Sequence, residues 1–184
     1  MRAAIDRSTI ADPALASDGR NAIAWASRHA PVLNGLLRDR LCDGSLEGVR
    51  VALVVHLEAK TALLATVLAE AGAEVVVAGS NPQSTRDHVA AGLVDLGIEV
   101  HSSRGSSYEQ WESDLLRVGD TQPDYIIDDG AELTLRMAKH RPLLFDQLLG
   151  VCEETTTGVA RLQALSDVGR LPFPAMAAND AACK

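Results

Sequence analysis

Lysine is scarce in this chain: only Lys60, Lys139 and Lys184 occur among 184 residues. No basic patch can be built from lysine, and the formal net charge of −8, with a pI near 5.0, points the same way. Nucleic acid is excluded as the main partner, because neutralising phosphates requires clustered Lys and Arg. An anionic membrane surface is disfavoured for the same reason. Small anionic ligands stay open, since backbone amides at helix N-termini bind them locally. Cysteine is equally sparse. Cys42, Cys152 and Cys183 are widely spaced, odd in number and lack any CxxC. They read as reduced thiols of a cytoplasmic protein, neither a disulfide framework nor a metal site. The first twenty residues carry early charges and no apolar core of signal-peptide length. No apolar run approaches the roughly 18 residues that span a bilayer.

What is present suits one globular domain with a sizeable core: 47% of residues are hydrophobic and 23% charged. From Asp12 to about Cys42 the pattern is helical. Asp12-Pro13 is its start signal and Pro31 splits it into two helices. The chain then alternates. Residues 49–55, 74–78, 98–101 and 124–128 read as strands, and 58–71, 84–96, 107–118 and 132–149 as helices, the last broken at Pro142. A short segment ending near Glu153 precedes a helix over 155–168. Val49 to Val55 is too uniformly apolar for a half-solvated strand and reads as a buried parallel one. Strand–helix alternation predicts an α/β fold: a three-layer Rossmann-like domain with a mainly parallel sheet flanked by helices.

Ligands of open parallel sheets bind beyond the carboxyl ends of the strands. Those ends carry the most polar residues here. The first reaches His56, followed by Glu58 and Lys60; the second reaches Ser80-Asn81-Pro82. The fourth ends in Asp128-Asp129-Gly130 and the fifth in Glu153-Glu154-Thr155-Thr156-Thr157-Gly158. Such a rim can host acid–base chemistry or grip sugar hydroxyls. Each piece also has a bland reading. A lone His at a strand end is more often structural, Asp-Gly is an ordinary turn, and Glu-Glu-Thr-Thr-Thr suits a helix cap. Lys60 can simply pair with a surface carboxylate.

The whole chain resembles the N-terminal half of S-adenosylhomocysteine hydrolases (adenosylhomocysteinases). The likeness is carried by Gly19-Arg20 with Ile23-Ala24-Trp25-Ala26, by His56 to Ala62, by Gly72 to Val75, and by Ser80-Asn81-Pro82 with Ser84-Thr85. Its most specific parts are Asp128-Asp129-Gly130, the run Glu153 to Val159, and Asn179-Asp180 followed by Lys184. Departures occur at Glu58 and Lys60, where many members carry Thr and Glu, at Arg86 in place of Gln, and at Cys183 in place of Thr.

The resemblance implies an NAD-dependent, reversible hydrolysis of S-adenosylhomocysteine to adenosine and homocysteine, through oxidation of the ribose 3′-hydroxyl. It implies His56, Asp129, Glu154 and Lys184 as catalytic residues, and Glu58, Asp129, Glu154, Asn179 and Lys184 as substrate-binding residues. Thr155, Thr156 and Thr157 would reach the NAD. Residues 1–184 would form a partial substrate-binding domain, with the NAD-binding domain absent: no G-x-G-x-x-G phosphate cradle occurs in the chain. A truncated form, inactive alone and with an exposed apolar face, is therefore expected. The substrate would be a nucleoside thioether, and the full-length form a homo-oligomer. Three other readings stand beside it: a non-catalytic nucleoside-binding or regulatory homologue, a purely associative chain that pairs with full-length subunits, and a hydrolase preferring S-inosylhomocysteine.

Overall fold

A computed structural model describes the backbone of residues 6–41 and 43–182, and the side chains of all of these except 36–38. Cys42, Cys183 and Lys184 lie outside the described residues. Seven strands form one parallel sheet: β1 (Thr9–Ile10), β2 (Arg50–Val55), β3 (Glu74–Gly79), β4 (Glu99–Ser102), β5 (Tyr125–Asp128), β6 (Gly150–Glu153) and β7 (Ala175–Ala177). Their order across the sheet is β1-β4-β3-β2-β5-β6-β7, and every adjacent pair is parallel. Among the described residues, seven α-helices with defined bounds accompany them: α1 (Ala16–His29), α2 (Arg38–Leu41), α3 (Ala59–Glu70), α4 (Asp87–Asp95), α5 (Tyr108–Asp120), α6 (Glu132–His140) and α7 (Thr156–Asp167). The expected three-layer parallel α/β architecture is the one observed.

Alternation along the strands sorts the core into two layers. On β2, Val51 and Leu53 join β3 and β4 residues and the inner faces of α1, α3 and α4. Ala52 and Val54 point the other way, with Ile126 and Val151, against Leu115, Leu133, Met137 and Leu162 from α5, α6 and α7. The helices switch face because the chain switches direction across the sheet after β4. Among the described residues, Tyr125, Ile127, Cys152 and Met176 on β5, β6 and β7 border an apolar groove of 540 Å³. Gly19 of α1 and Gly92 of α4 meet where those helices cross, and a Cβ on either would collide with the other's backbone.

Several boundaries differ from the sequence reading, for local reasons. Before Pro31 the backbone leaves the helical region at Ala30 (φ −123°, ψ 69°), so α1 stops at His29, and a π-helical turn, Val32–Leu37, succeeds it. The helix expected from residue 84 begins only at Asp87. Upstream of it, Asn81 Oδ1 accepts from the Gln83 amide and the Asn81 carbonyl accepts from the Ser84 amide. Such side-chain bonds compete with helix formation. The helix from Glu132 ends at His140, and Pro142 opens a separate 3-10 segment, Pro142–Asp146. The edge strands β1 and β7, of two and three residues, were not legible by periodicity.

Candidate active site

From β2 the chain steps through β3 and β4 to one side of the sheet, and from β5 through β6 and β7 to the other. The carboxyl ends of β2 and β5 therefore flank a crevice where consecutive connections leave in opposite directions, the usual ligand position in open α/β sheets. Residues 56 and 129 lie just beyond those two ends. Glu154 follows β6, and Asn179 follows β7 within a 3-10 turn.

Two buried acids build the floor. Asp128 and Glu153 are register partners on β5 and β6, and both are fully buried. Asp128 accepts from the Asp129, Leu133 and Thr134 amides and from the Thr134 hydroxyl. Burial nonetheless pushes its carboxyl up to about 7, with the neighbouring Glu153 adding to the rise. Glu153 accepts from the amides of Gly130, Ala131 and Thr155 and from the Thr155 hydroxyl, at 2.7–3.0 Å. Gly130 (φ 73°) and Ala131 (φ 55°) are both left-handed, a strained choice for alanine. Their successive amides form an anion-binding nest. Glu153 fills it, and so fixes the turn that carries Asp129.

Beside this floor stand the polar groups that follow β2, β3 and β5. Asp129 Oδ2 accepts from the Ser80 hydroxyl at 2.7 Å and lies 3.5 Å from His56 Nε2. Asp129 is largely buried, while the imidazole is half exposed, with its other nitrogen 2.6 Å from Ser84 Oγ. The structure thus brings together two hydrogen-bonded pairs, His56 with Ser84 and Asp129 with Ser80, 3.5 Å apart at His56 Nε2 and Asp129 Oδ2. Trp111 of α5 donates to the Gly79 carbonyl at 2.8 Å, and Arg161 of α7 to the Gly130 carbonyl at 2.7 Å, bracing the turns on either side.

The other anticipated residues that are described fall on the same rim without sharing those contacts, and Lys184 lies outside the described residues. Glu58 is the N-cap residue of α3 and its carboxylate lies 3.0 Å from Lys60 Nζ, as the bland reading expected. Glu154 is exposed, and its amide donates to the Asp128 carbonyl at 3.1 Å, so it follows β6 directly beside the strand end that leads to Asp129. Thr155 is occupied internally: its hydroxyl donates to Glu153 and accepts from the Gly158 and Gly130 amides, capping α7. Thr156 and Thr157 are exposed in the first turn of that helix. Asn179 Nδ2 donates to Asp180 at 3.1 Å. Among the described residues, no cluster of His, Cys, Asp and Glu could hold a metal ion.

Sequence reasoning singled out the second acid of each doublet and passed over the first. Period-two alternation was the available signal: the last strand residues, Asp128 and Glu153, must face a covered layer, and only the residues after them are free to turn outward. Nothing in the spacing marked Ser80 and Ser84 as partners of Asp129 and His56.

The fold is that of a doubly wound parallel α/β protein, with an imidazole, carboxylates and hydroxyls gathered at the switch point where open sheets of this class bind ligands. The family model for S-adenosyl-L-homocysteine hydrolase matches residues 7–143 and 138–184. Over 177 residues the chain is 44% identical to the S-inosyl-L-homocysteine hydrolase of Methanococcus maripaludis, covering 96% of this chain and 43% of that protein. It is 44% identical to the adenosylhomocysteinase of Thermotoga maritima, over 90% of this chain and 41% of that protein, and 45% identical to that of Aeropyrum pernix, over 95% and 42%. The chain belongs to the S-adenosyl-L-homocysteine hydrolase family. It spans less than half the length of these relatives.

Proposed function

We propose that this chain is the substrate-holding half of a hydrolase that splits a purine nucleoside thioether into homocysteine and the free nucleoside. The observation that carries this reading is the convergence of His56 and Asp129 at the switch point, 3.5 Å apart, on a turn fixed from below by Glu153. Asp129 and Glu154, following neighbouring strand ends, are the acceptors for vicinal ribose hydroxyls, a pairing suited to a sugar rather than a phosphate. His56 stands at the mouth of the crevice, as the group that gives and takes a proton at the thioether end. Lys184, assigned to proton removal at the ribose 3′ position, lies outside the described residues.

Among the described residues, Thr156 and Thr157 are the hydroxyls open to a cofactor, while Thr155 serves as the cap. They suit the polar edge of NAD, which when bound supplies a reversible acceptor for the ribose hydride. The chain holds no glycine-rich pyrophosphate cradle of its own. The 184-residue chain by itself is therefore expected to bind nucleoside without turning it over.

Calorimetry with adenosine and inosine tests the binding. The expected result is an affinity that falls at least about tenfold in Asp129→Asn, a change of about 1.4 kcal/mol. No heat at millimolar nucleoside overturns the reading, and turnover of S-adenosylhomocysteine by the isolated chain overturns its dependence on a further domain.

A second reading keeps the fold and changes the base. Glu58, the N-cap residue of α3, forms an ion pair with Lys60 in its first turn, on the crevice rim. An ammonium donor suits the carbonyl oxygen at C6 of hypoxanthine, whereas the amino group of adenine needs an acceptor. Tighter binding of inosine than adenosine, reversed in Lys60→Glu, supports an S-inosylhomocysteine substrate; the opposite ranking in the unaltered chain removes it.

A further inference from the structure

Ser84 occupies the stretch where helix formation is postponed to Asp87, which leaves its side chain beside the imidazole of His56. Its amide donates to the Asn81 carbonyl at 3.1 Å and its hydroxyl donates to the same carbonyl at 2.9 Å. A serine hydroxyl has one proton. With that proton directed at Asn81, only lone pairs face His56 Nδ1, 2.6 Å away. The short contact then requires the proton to sit on the ring nitrogen.

We infer that Ser84 is a positioning residue that holds His56 in the Nδ1–H tautomer, so that the lone pair of neutral Nε2 faces Asp129 and the crevice. The partner of one ring nitrogen sets the state of the other. Without such a partner a neutral imidazole ordinarily favours the Nε2–H form, which would present a donor where a base is wanted. The opposing pull is the Asp129 carboxylate, which favours a proton on Nε2 but at 3.5 Å stands farther off than Ser84 at 2.6 Å, so the closer partner sets the tautomer. The Thr61 hydroxyl donates to the His56 carbonyl at 2.7 Å, fixing the backbone. Asp129 Oδ2 accepts from Ser80 at 2.7 Å and stands 3.5 Å from Nε2, within reach of the imidazolium formed once that nitrogen takes a proton. Use of the tautomer in catalysis rests on the function proposed above; the tautomer itself does not.

The test is long-range proton–nitrogen NMR of the chain carrying ¹⁵N-labelled histidine, above the histidine titration, with His56 assigned through the signals lost in His56→Gln. Expected is a protonated Nδ1 and an unprotonated Nε2 at His56. Ser84→Ala is expected to move the ring to a majority Nε2–H population, and Ser84→Thr, which keeps a hydroxyl, to retain the unaltered pattern. A majority Nε2–H form in the unaltered chain overturns the inference, as does an unchanged His56 spectrum in Ser84→Ala. Circular dichroism confirms that each variant is folded, and failure of nucleoside binding with the tautomer as stated removes the proposed function alone.

Discussion

Replacing Gly158 with alanine places a methyl group inside van der Waals contact of the Glu153 carboxyl carbon and both its oxygens. Glu153 has nowhere to retreat: it is fully buried and holds four donors, among them the amides of Gly130 and Ala131. Overpacking of this kind costs about 1–3 kcal/mol. Each buried donor or acceptor left unsatisfied when the carboxyl is pushed aside adds about 1–3 kcal/mol. The sum is about 3 kcal/mol or more, in the range reserved for severe single changes. Urea unfolding followed by circular dichroism reads it directly. With a slope of about 2 kcal/mol per molar, the midpoint falls by about 1.5 M. Thr156→Ala, two residues away and exposed, is the control and stays within about 0.5 kcal/mol. A Gly158→Ala midpoint within about 0.3 M of the unaltered protein would refute the claim that Glu153 packed against Gly158 holds the Asp129 turn.

Asp128 makes stability depend on pH. Its carboxyl, ordinarily at 3.8, is pushed by burial to about 7, so the folded chain keeps a proton that the unfolded chain releases. Stability then falls as pH rises from about 4 to 7, by at most about 1.4 kcal/mol per unit, and levels off above. Urea melts from pH 5 to 8 should show that slope, and Asp128→Asn should flatten it; an identical slope in the variant contradicts the assignment. Ser80→Ala removes the hydroxyl that orients Asp129 and should weaken nucleoside binding by roughly five- to tenfold, about 1 kcal/mol; calorimetry giving an unchanged affinity would show that the bond plays no part. Trp111→Phe leaves the Gly79 carbonyl without its donor. It should lower stability by about 1 kcal/mol in the same urea assay, and a shift below about 0.3 kcal/mol would show that the brace contributes nothing.

Much of this protein was legible in the chain as written. The apolar runs of β2 and β3, with Ala/Leu-rich helices between them, announced a parallel α/β sheet, because only a strand covered on both faces tolerates such uniformity. The order of polar residues at strand ends placed His56, Asp129 and Glu154 on one rim, since every strand of a parallel sheet ends on the same side; Asn179 was reached only through the family resemblance. Tertiary structure alone decided the rest. Which strands neighbour one another, and hence that β2 and β5 flank the crevice, depends on where the chain reverses direction across the sheet. Asp128 and Glu153 became a buried floor because helices cover the face to which they point. Ser80 and Ser84 found Asp129 and His56 across 49 and 28 residues of chain. Hydrogen bonds at that separation leave no periodic trace in sequence: they depend on two backbones meeting in space, and local propensity carries no information about such meetings.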